Sequence, residues 1–444
     1  MNVFPGVATV AAHTPPDRDR FLDLVRLSSL LVVIAGHCLM LTLVLDGDRV
    51  EFGNVLADLP VLQALTWVLQ VLPLFFFAGV AAGARGLGPG TSWGAWLFRR
   101  TQRLVRPLGY FLVVSAVLVA VAQRVLAPGW HRPLAVTSVQ LLWFLGVYLV
   151  VLACTPALAA LVTTGRRMFA AVAALVLLAA VIDAVRLGGG PAELGYVNFL
   201  VWLIPAVLGL GYLRGLILRR TAAVLAAVVL VLDAVLVAVG PYELSMVTVP
   251  GQRLSNLAPP SLLLAGHAVV LCCAAVAAAP WLRRLAARPR VWWLTVIGNT
   301  GAMTLYLWHM PVLLTVLVLG HLAGLHRTQP GQPGFWVLTA GQLLLTVALT
   351  ALLFLILRGL ENTPLRWWDD AVRPVRGGYS AATVLAVIAA GCALLQATRF
   401  GLTAEGARWL ACAAAGLVAA RLLTRARPAG AALSPSTDGA AASV

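Results

Sequence analysis

The first long apolar stretch of the chain lies at residues 20–45 and reads RFLDLVRLSSLLVVIAGHCLMLTLVL. About 20 apolar residues are enough for a helix to cross a bilayer. The stretch is longer than the apolar part of a signal peptide, so it predicts a first span that is not cleaved. A spanning segment must satisfy its own backbone hydrogen bonds in lipid, and the stretch therefore predicts a helix.

The composition extends this prediction to the whole chain. Of the 444 residues, 61% are hydrophobic and 11% are charged, whereas a soluble domain carries about 25% charged residues. This balance excludes an ordinary soluble protein and a disordered one. Twelve continuous apolar stretches lack the alternation of barrel strands, so we predict an all-α polytopic membrane protein with about twelve transmembrane helices. The predicted spans are 21–45, 62–84, 104–127, 136–154, 168–186, 196–213, 221–240, 260–280, 296–320, 335–357, 381–398 and 405–423.

Arginine indicates how the helices are oriented. The chain has 32 Lys and Arg residues, all of them Arg, and a net charge of +16. These charges lie between apolar stretches, so we expect the lipid bilayer as a partner and no nucleic acid. With the N-terminus inside, 24 Arg residues fall in inner segments and 8 in outer segments. The positive-inside rule therefore predicts a multi-pass protein of the cell membrane with both termini in the cytoplasm.

The segments outside the spans are too short for a separate folded domain. We interpret residues 1–20 as a cytoplasmic tail and residues 427–444 as a disordered one. Segments 91–103 and 281–290 mix Trp with Arg, which is typical of short interfacial helices. The six Cys residues have no metal-ligand spacing, so we expect neither a metal site nor a permanently bound cofactor.

The first span carries an Arg and a His on one face. Arg26 and His37 lie within about 20° of each other around a helix and about 16 Å apart along it. Arg26 then lies at the inner boundary, where Asp23 can pair with it, and His37 lies near the middle of the membrane. This arrangement favours an elongated, phosphate-bearing ligand, with Arg26 on the phosphate and His37 moving a proton. An interfacial Arg and a His bonded across helices are the alternative.

Four Arg residues stand together at the start of the third predicted span. Arg99, Arg100, Arg103 and Arg106 are more than topology requires in so short a segment. Guanidinium groups bind phosphate through paired hydrogen bonds, so the cluster indicates a phosphate site. Anchoring to lipid headgroups is the alternative.

Two other spans carry grouped polar or aromatic residues. Tyr306 and His309 are one turn apart in the ninth predicted span and share a face, which indicates either a site or a bond between helices. Gln140, Trp143 and Phe144 share a face of the fourth predicted span, a pattern more typical of packing.

These residues form five motifs that resemble those of the acyltransferase family 3 membrane proteins. The motifs stand in the family's order on the expected spans, over roughly residues 17–370. They are Arg26 followed by ten residues and His37, the run Arg99-Arg100-Thr101-Gln102-Arg103 closing at Pro107, Trp143-Phe144, Tyr306-Leu307-Trp308-His309-Met310-Pro311, and Glu361-Asn362-Thr363-Pro364.

The resemblance implies a ten-helix acyltransferase core, which we place at residues 21–370, followed by two additional transmembrane helices within residues 371–426. It implies an integral membrane O-acyltransferase that moves an acyl group, often acetyl, from acyl-CoA to a hydroxyl group. The implied acceptors are surface polysaccharides, lipid-linked glycans, peptidoglycan or glycosylated natural products.

The resemblance also implies roles for single residues. His37 is the implied catalytic His, and its chemistry suits a general base on the acceptor hydroxyl, with Tyr306 or His309 donating to the developing oxyanion. The implied residues around the acyl-CoA (acetyl-CoA) donor are Arg26, Arg99, Arg100 and Arg103. The implied supporting residues are Asp23, Trp143 and Glu361.

A twelve-span proton-coupled transporter is the competing interpretation. Twelve spans with both ends inside suit a transporter, and buried His residues fit proton coupling. The sequence lacks matched halves and the corresponding Gly- or Pro-interrupted helices that mark transporter sites. The absence of these two features favours an acyltransferase over a transporter.

Overall fold

The structure is a computed structural model and describes residues 4–47, 49–325 and 330–425. The predicted tail 427–444 lies outside these ranges. Within them, twelve helical segments are long and apolar enough to cross a membrane, which confirms the all-α polytopic fold. They are Arg20–Met40, Pro60–Ala84, Trp93–Val125, Pro128–Leu161, Gly165–Leu187, Ala192–Leu213, Arg219–Val239, Leu262–Ala287, Ala302–Leu322, Phe335–Asn362, Gly377–Phe400 and Ala404–Thr424.

The ends of successive spans alternate between two faces of the bundle. Tyr212, at the end of the sixth span, donates a hydrogen bond of 2.8 Å to Asp19, just before the first span, and Arg85 pairs with Asp19 at 3.5 Å. At the opposite end, Trp67 of the second span donates to the carbonyl of Leu244 at 2.8 Å, between the seventh and eighth spans. We call the end that holds Asp19 the N-terminal face and the end that holds Leu244 the distal face.

The first span ends earlier than its sequence predicts. The helix stops at Met40, and the apolar residues that follow form an antiparallel hairpin of strands β1 (Leu41–Asp46) and β2 (Arg49–Asn54). Gly47 has φ +56° at the turn, a conformation that glycine adopts without steric cost. The predicted boundary at residue 45 is wrong because hydropathy does not separate an apolar hairpin from the end of a helix.

Several spans are interrupted. The second, fourth and sixth begin with short or 3-10 helical turns, and the predicted span 296–320 is two helices that meet at Gly301. Pro stands at or near the start of several of these pieces, where its missing N–H costs no hydrogen bond. The pieces are Pro60–Leu65, Thr66–Leu69 and Leu72–Ala84; Pro128–Trp130, His131–Thr137 and Leu142–Leu161; Ala192–Trp202 and Leu203–Leu213; and Pro289–Thr300 before Ala302–Leu322. Two further short helices are Val7–Ala12 and Val55–Asp58.

The two predicted interfacial helices are wrong as separate elements. Segment 91–103 is the start of one continuous helix, Trp93–Val125, and segment 281–290 covers the end of Leu262–Ala287. Ser92 caps the longer helix by accepting a hydrogen bond from the backbone of Ala95. The Arg residues of segment 91–103 therefore lie on a transmembrane helix.

The last two helices pack directly on the bundle. Gly377–Phe400 lies against Leu142–Leu161 and Trp93–Val125 and is itself covered by Ala404–Thr424. Gly146 and Gly391 face each other so closely that a Cβ on either would meet the other's backbone oxygen. Small residues at such positions let membrane helices approach closely. The predicted division between a core ending at residue 370 and two additional helices stays a prediction.

Candidate active site

Two histidines from different spans meet inside the bundle. His37 lies in the last turn of the first span and His309 in the ninth span. Nδ1 of His37 is 3.0 Å from Nε2 of His309. The ring centroids are 5.3 Å apart and the ring planes differ by 12°, so the rings are nearly parallel. Because the first helix ends at Met40, His37 is nearer the distal face than the sequence predicts.

The hydrogen bonds determine which nitrogens carry protons. Nδ1 of His309 is 3.1 Å from the carbonyl of Leu305, which only accepts, so this nitrogen is the donor. In neutral His309 the other nitrogen, Nε2, is then an acceptor, and His37 donates to it from Nδ1. Neutral His37 therefore keeps its lone pair on Nε2. We call this series, from the Leu305 carbonyl through His309 to His37, the histidine relay.

A large cavity begins at His37 and extends toward the distal face. It has a volume of about 880 Å³, within the usual range of small-molecule sites. His37 and Met310 line its deep end, and Thr248 and Tyr196 line it near the distal face. Trp143, predicted as a supporting residue, forms part of its wall. We call this space the distal cavity.

Arg26 lies on the N-terminal side of His37 and is held in a polar network. Its Nε donates to Asn299 at 2.9 Å, and its guanidinium is 3.7 Å from Asp23. Asn299 also donates to the backbone carbonyl of Asp23 at 3.1 Å. Asp23 is buried and accepts a hydrogen bond of 2.7 Å from Arg18. This network fixes Arg26 while its side chain keeps 29% of its surface exposed, available to a ligand.

The Arg-rich segment divides into three kinds of residue. Arg100 turns inward, donates to the carbonyl of Gly83 and lies over the ring of Trp96. Arg99 and Arg103 are exposed, and neither has a hydrogen bond or ion pair within the described residues.

Arg106 has a structural role. It pairs with Asp369 at 2.7 Å and donates to the carbonyl of Glu361. Of the four clustered Arg residues, Arg100 is thus the one that turns inward without an ion pair among the described residues.

Tyr306 lies near the histidine relay but is already bonded. Its hydroxyl donates to the backbone carbonyl of Leu141, at the start of the fourth span's long helix. Its ring packs on Phe144 with centroids 5.4 Å apart and lies 6.5 Å from the ring of His309. Donation to an oxyanion by Tyr306 stays a prediction and requires this bond to open.

Glu361 holds the helix that carries Tyr306 and His309. Its carboxylate accepts from the backbone N–H groups of Met303 and Thr304, at 3.3 and 2.9 Å, and from the Thr304 hydroxyl at 2.6 Å. These are the free N–H groups at the start of Ala302–Leu322, where a negative charge is favourable. Glu361 is thus a positioning residue that caps this helix from the tenth span.

The sequence prediction missed the part of the site that comes from the eleventh span. Cys392, Gln396 and Arg399 line the distal cavity. Their spacing of four and three residues places them on one helix face. This shared face is the feature of the sequence that could have indicated a site on the eleventh span. A few polar residues in an apolar span are not distinctive without the neighbouring helices.

Comparison with known families gives one match. The model of the family described as an acyltransferase domain, acyltransferase family 3, matches residues 19–358. This chain belongs to acyltransferase family 3. It is a multi-pass membrane acyltransferase, and both histidines of the relay, together with Arg26 and Arg100, lie within the matched residues. No curated protein and no solved structure gives a significant match.

Proposed function

We propose that this acyltransferase moves an acetyl or other short acyl group from acyl-CoA to a hydroxyl group of a carbohydrate, lipid-linked glycan or glycosylated natural product. The observation that carries the proposal is the histidine relay. It leaves Nε2 of His37 with a lone pair and no partner among the described residues, on a residue that lines the distal cavity. General-base catalysis requires such a nitrogen within reach of the substrate proton.

The proposed reaction begins with the acceptor hydroxyl hydrogen-bonded to Nε2 of His37. As the acceptor oxygen attacks the thioester carbonyl, its proton passes to Nε2. The tetrahedral intermediate then collapses and the carbon–sulfur bond breaks. The proton passes from Nε2 of His37 to the CoA sulfur. His309 stabilises the transient imidazolium because its Nε2 accepts from His37. The products are an ester, formed at the acceptor oxygen, and free CoA.

The donor is proposed to approach from the N-terminal face. Arg26 and Arg100 lie on that side of His37, and exposed Arg99 and Arg103 extend the positive surface outward. The phosphates of CoA are anionic, and Arg binds such groups through paired hydrogen bonds. The flexible thiol arm would cover the roughly 16 Å of helix between Arg26 and His37.

The acceptor is proposed to occupy the distal cavity. The amide of Gln140 lines this cavity without a hydrogen-bond partner among the described residues and suits a sugar hydroxyl. The Arg distribution supports a cytoplasmic N-terminal face. We therefore propose a cytoplasmic donor and an acceptor that reaches His37 from the other side of the cell membrane.

The experiment is acetyl transfer by purified full-length protein in detergent, with radiolabelled acetyl-CoA and methyl glucoside as acceptor probe. We expect labelled sugar ester or, with water as acceptor, labelled acetate, and neither product from His37→Ala. A matched control is His267→Gln, which changes a buried His that packs on Trp67 away from the distal cavity. Absence of both products from folded wild-type protein, with proton uptake into proteoliposomes, would support the transporter instead.

A further inference from the structure

The eleventh span, Gly377–Phe400, lies beyond the family match, which ends at residue 358, yet it forms a wall of the distal cavity. Cys392, Leu395, Gln396 and Arg399 all line the cavity. Their spacing puts them on one helical stripe, with Arg399 about 10 Å further toward the distal face than Cys392. The cavity is therefore completed by a helix that the family match does not include.

Arg399 gives this wall its charge. Among the described residues that line the distal cavity, it is the one Arg, and none of them is Asp or Glu. Arg399 is exposed and makes no ion pair within the described chain; its guanidinium donates a hydrogen bond of 3.5 Å to the Tyr196 hydroxyl. Its guanidinium thus stands at the distal rim with its charge uncompensated.

We propose that the eleventh span selects the acceptor and that the acceptor is an anionic carbohydrate, whose carboxylate or phosphate binds Arg399. Gln396, one turn deeper, contacts a neutral hydroxyl of the same molecule. A guanidinium fork fits either anion and discriminates against a neutral sugar. This inference rests on the proposed function, because it needs the distal cavity to be the acceptor site. The contrasting role for Arg399 is an anchor to lipid headgroups.

The first test measures the charge of the cavity without any acceptor. Cys392 is exposed on the same stripe as Arg399, so small thiol reagents probe it. In protein carrying Cys154→Ser and Cys412→Ser, we compare an anionic with a cationic methanethiosulfonate, each normalised to its rate with free cysteine. Arg399, about 10 Å further along the helix axis, should favour the anionic reagent by roughly two- to tenfold.

Three variants test whether the preference for the anionic reagent comes from Arg399. Arg399→Gln should abolish it and Arg399→Lys should retain it. Arg408→Gln should retain it too, since Arg408 is exposed one turn into the twelfth span and does not line the cavity. An unreactive Cys392, or equal loss of preference in the Arg399 and Arg408 variants, would overturn the assignment.

The second test concerns acceptor choice. Methyl glucoside, methyl glucuronide and glucose 6-phosphate are compared as acceptors of labelled acetyl, and the two anions distinguish carboxylate from phosphate. We expect at least one anion to be acylated about tenfold more efficiently than the neutral glucoside, and Arg399→Gln to remove this advantage. Transfer that is indifferent to acceptor charge in both proteins refutes the inference but leaves the proposed function intact. Loss of all acetyl-CoA turnover in wild-type protein refutes the proposed function itself.

Discussion

At the scale of single residues, His37 and His309 lie 272 positions apart in sequence and make one hydrogen bond. The sequence could place each on a helix face, because helical spacing relates residues within one span. It could not pair them, since no local rule relates the faces of the first and ninth spans. The hydrogen bond between His37 and His309 thus depends on how the two spans pack against each other.

His309 is expected to orient and stabilise His37. His309→Ala removes the acceptor for Nδ1 of His37, so we expect kcat to fall on the order of 10²-fold while KM for acetyl-CoA stays near the wild-type value. His309→Gln offers an amide oxygen in its place and should recover part of the rate. The measurement is kcat and KM for acetyl-CoA of both variants by steady-state kinetics. A raised donor KM with unchanged kcat would mean that His309 serves binding.

The Arg-rich segment shows the same limit of local reasoning, because adjacent residues of one helix face different surroundings. Arg100→Gln removes an inward guanidinium and should raise KM for acetyl-CoA about tenfold. Arg99→Gln, its exposed neighbour, should change KM less than threefold because surface charges are screened. Equal, small effects from both variants would make the cluster a headgroup anchor.

At the scale of elements, Glu361 joins two spans by capping one of them. Glu361→Ala leaves two backbone N–H groups and the Thr304 hydroxyl without their acceptor. The expected cost is about 1–2 kcal/mol of stability, measured as a lower midpoint of thermal unfolding in detergent. The control is Glu405→Ala, in the first turn of Ala404–Thr424, where the carboxylate is exposed. Equal midpoints for the two variants would show that the cap contributes nothing.

Hydropathy predicted the existence and order of the spans, because each must be long and apolar to cross lipid. It could not predict the hairpin after Met40 or the break at Gly301. Residues 41–45 are as apolar as the helix before them, and strand pairing with 49–54 is not visible in a hydropathy pattern. These irregular elements adjoin the site: the hairpin lines the distal cavity, and the break lets Glu361 reach the ninth span's N-terminus.

At the scale of the whole molecule, the two faces of the bundle are proposed to serve different substrates. The Arg asymmetry predicts that the N-terminal face is cytoplasmic. In a cysteine-free background, a membrane-impermeant thiol reagent added to intact cells should label Gly47→Cys in the hairpin turn and leave Arg425→Cys unlabelled. Labelling of Arg425→Cys without permeabilisation would reverse the orientation or remove a span.

The central claim is that His37 is the general base between the donor side and the distal cavity, and His37→Gln tests it most directly. The amide keeps much of the bulk and some hydrogen bonding but takes no proton. The measurement is acetyl transfer together with equilibrium binding of radiolabelled acetyl-CoA, both on the same folded variant. We predict a loss of about 10²–10⁴ in turnover with the donor Kd unchanged. Near-normal turnover by His37→Gln would contradict the account.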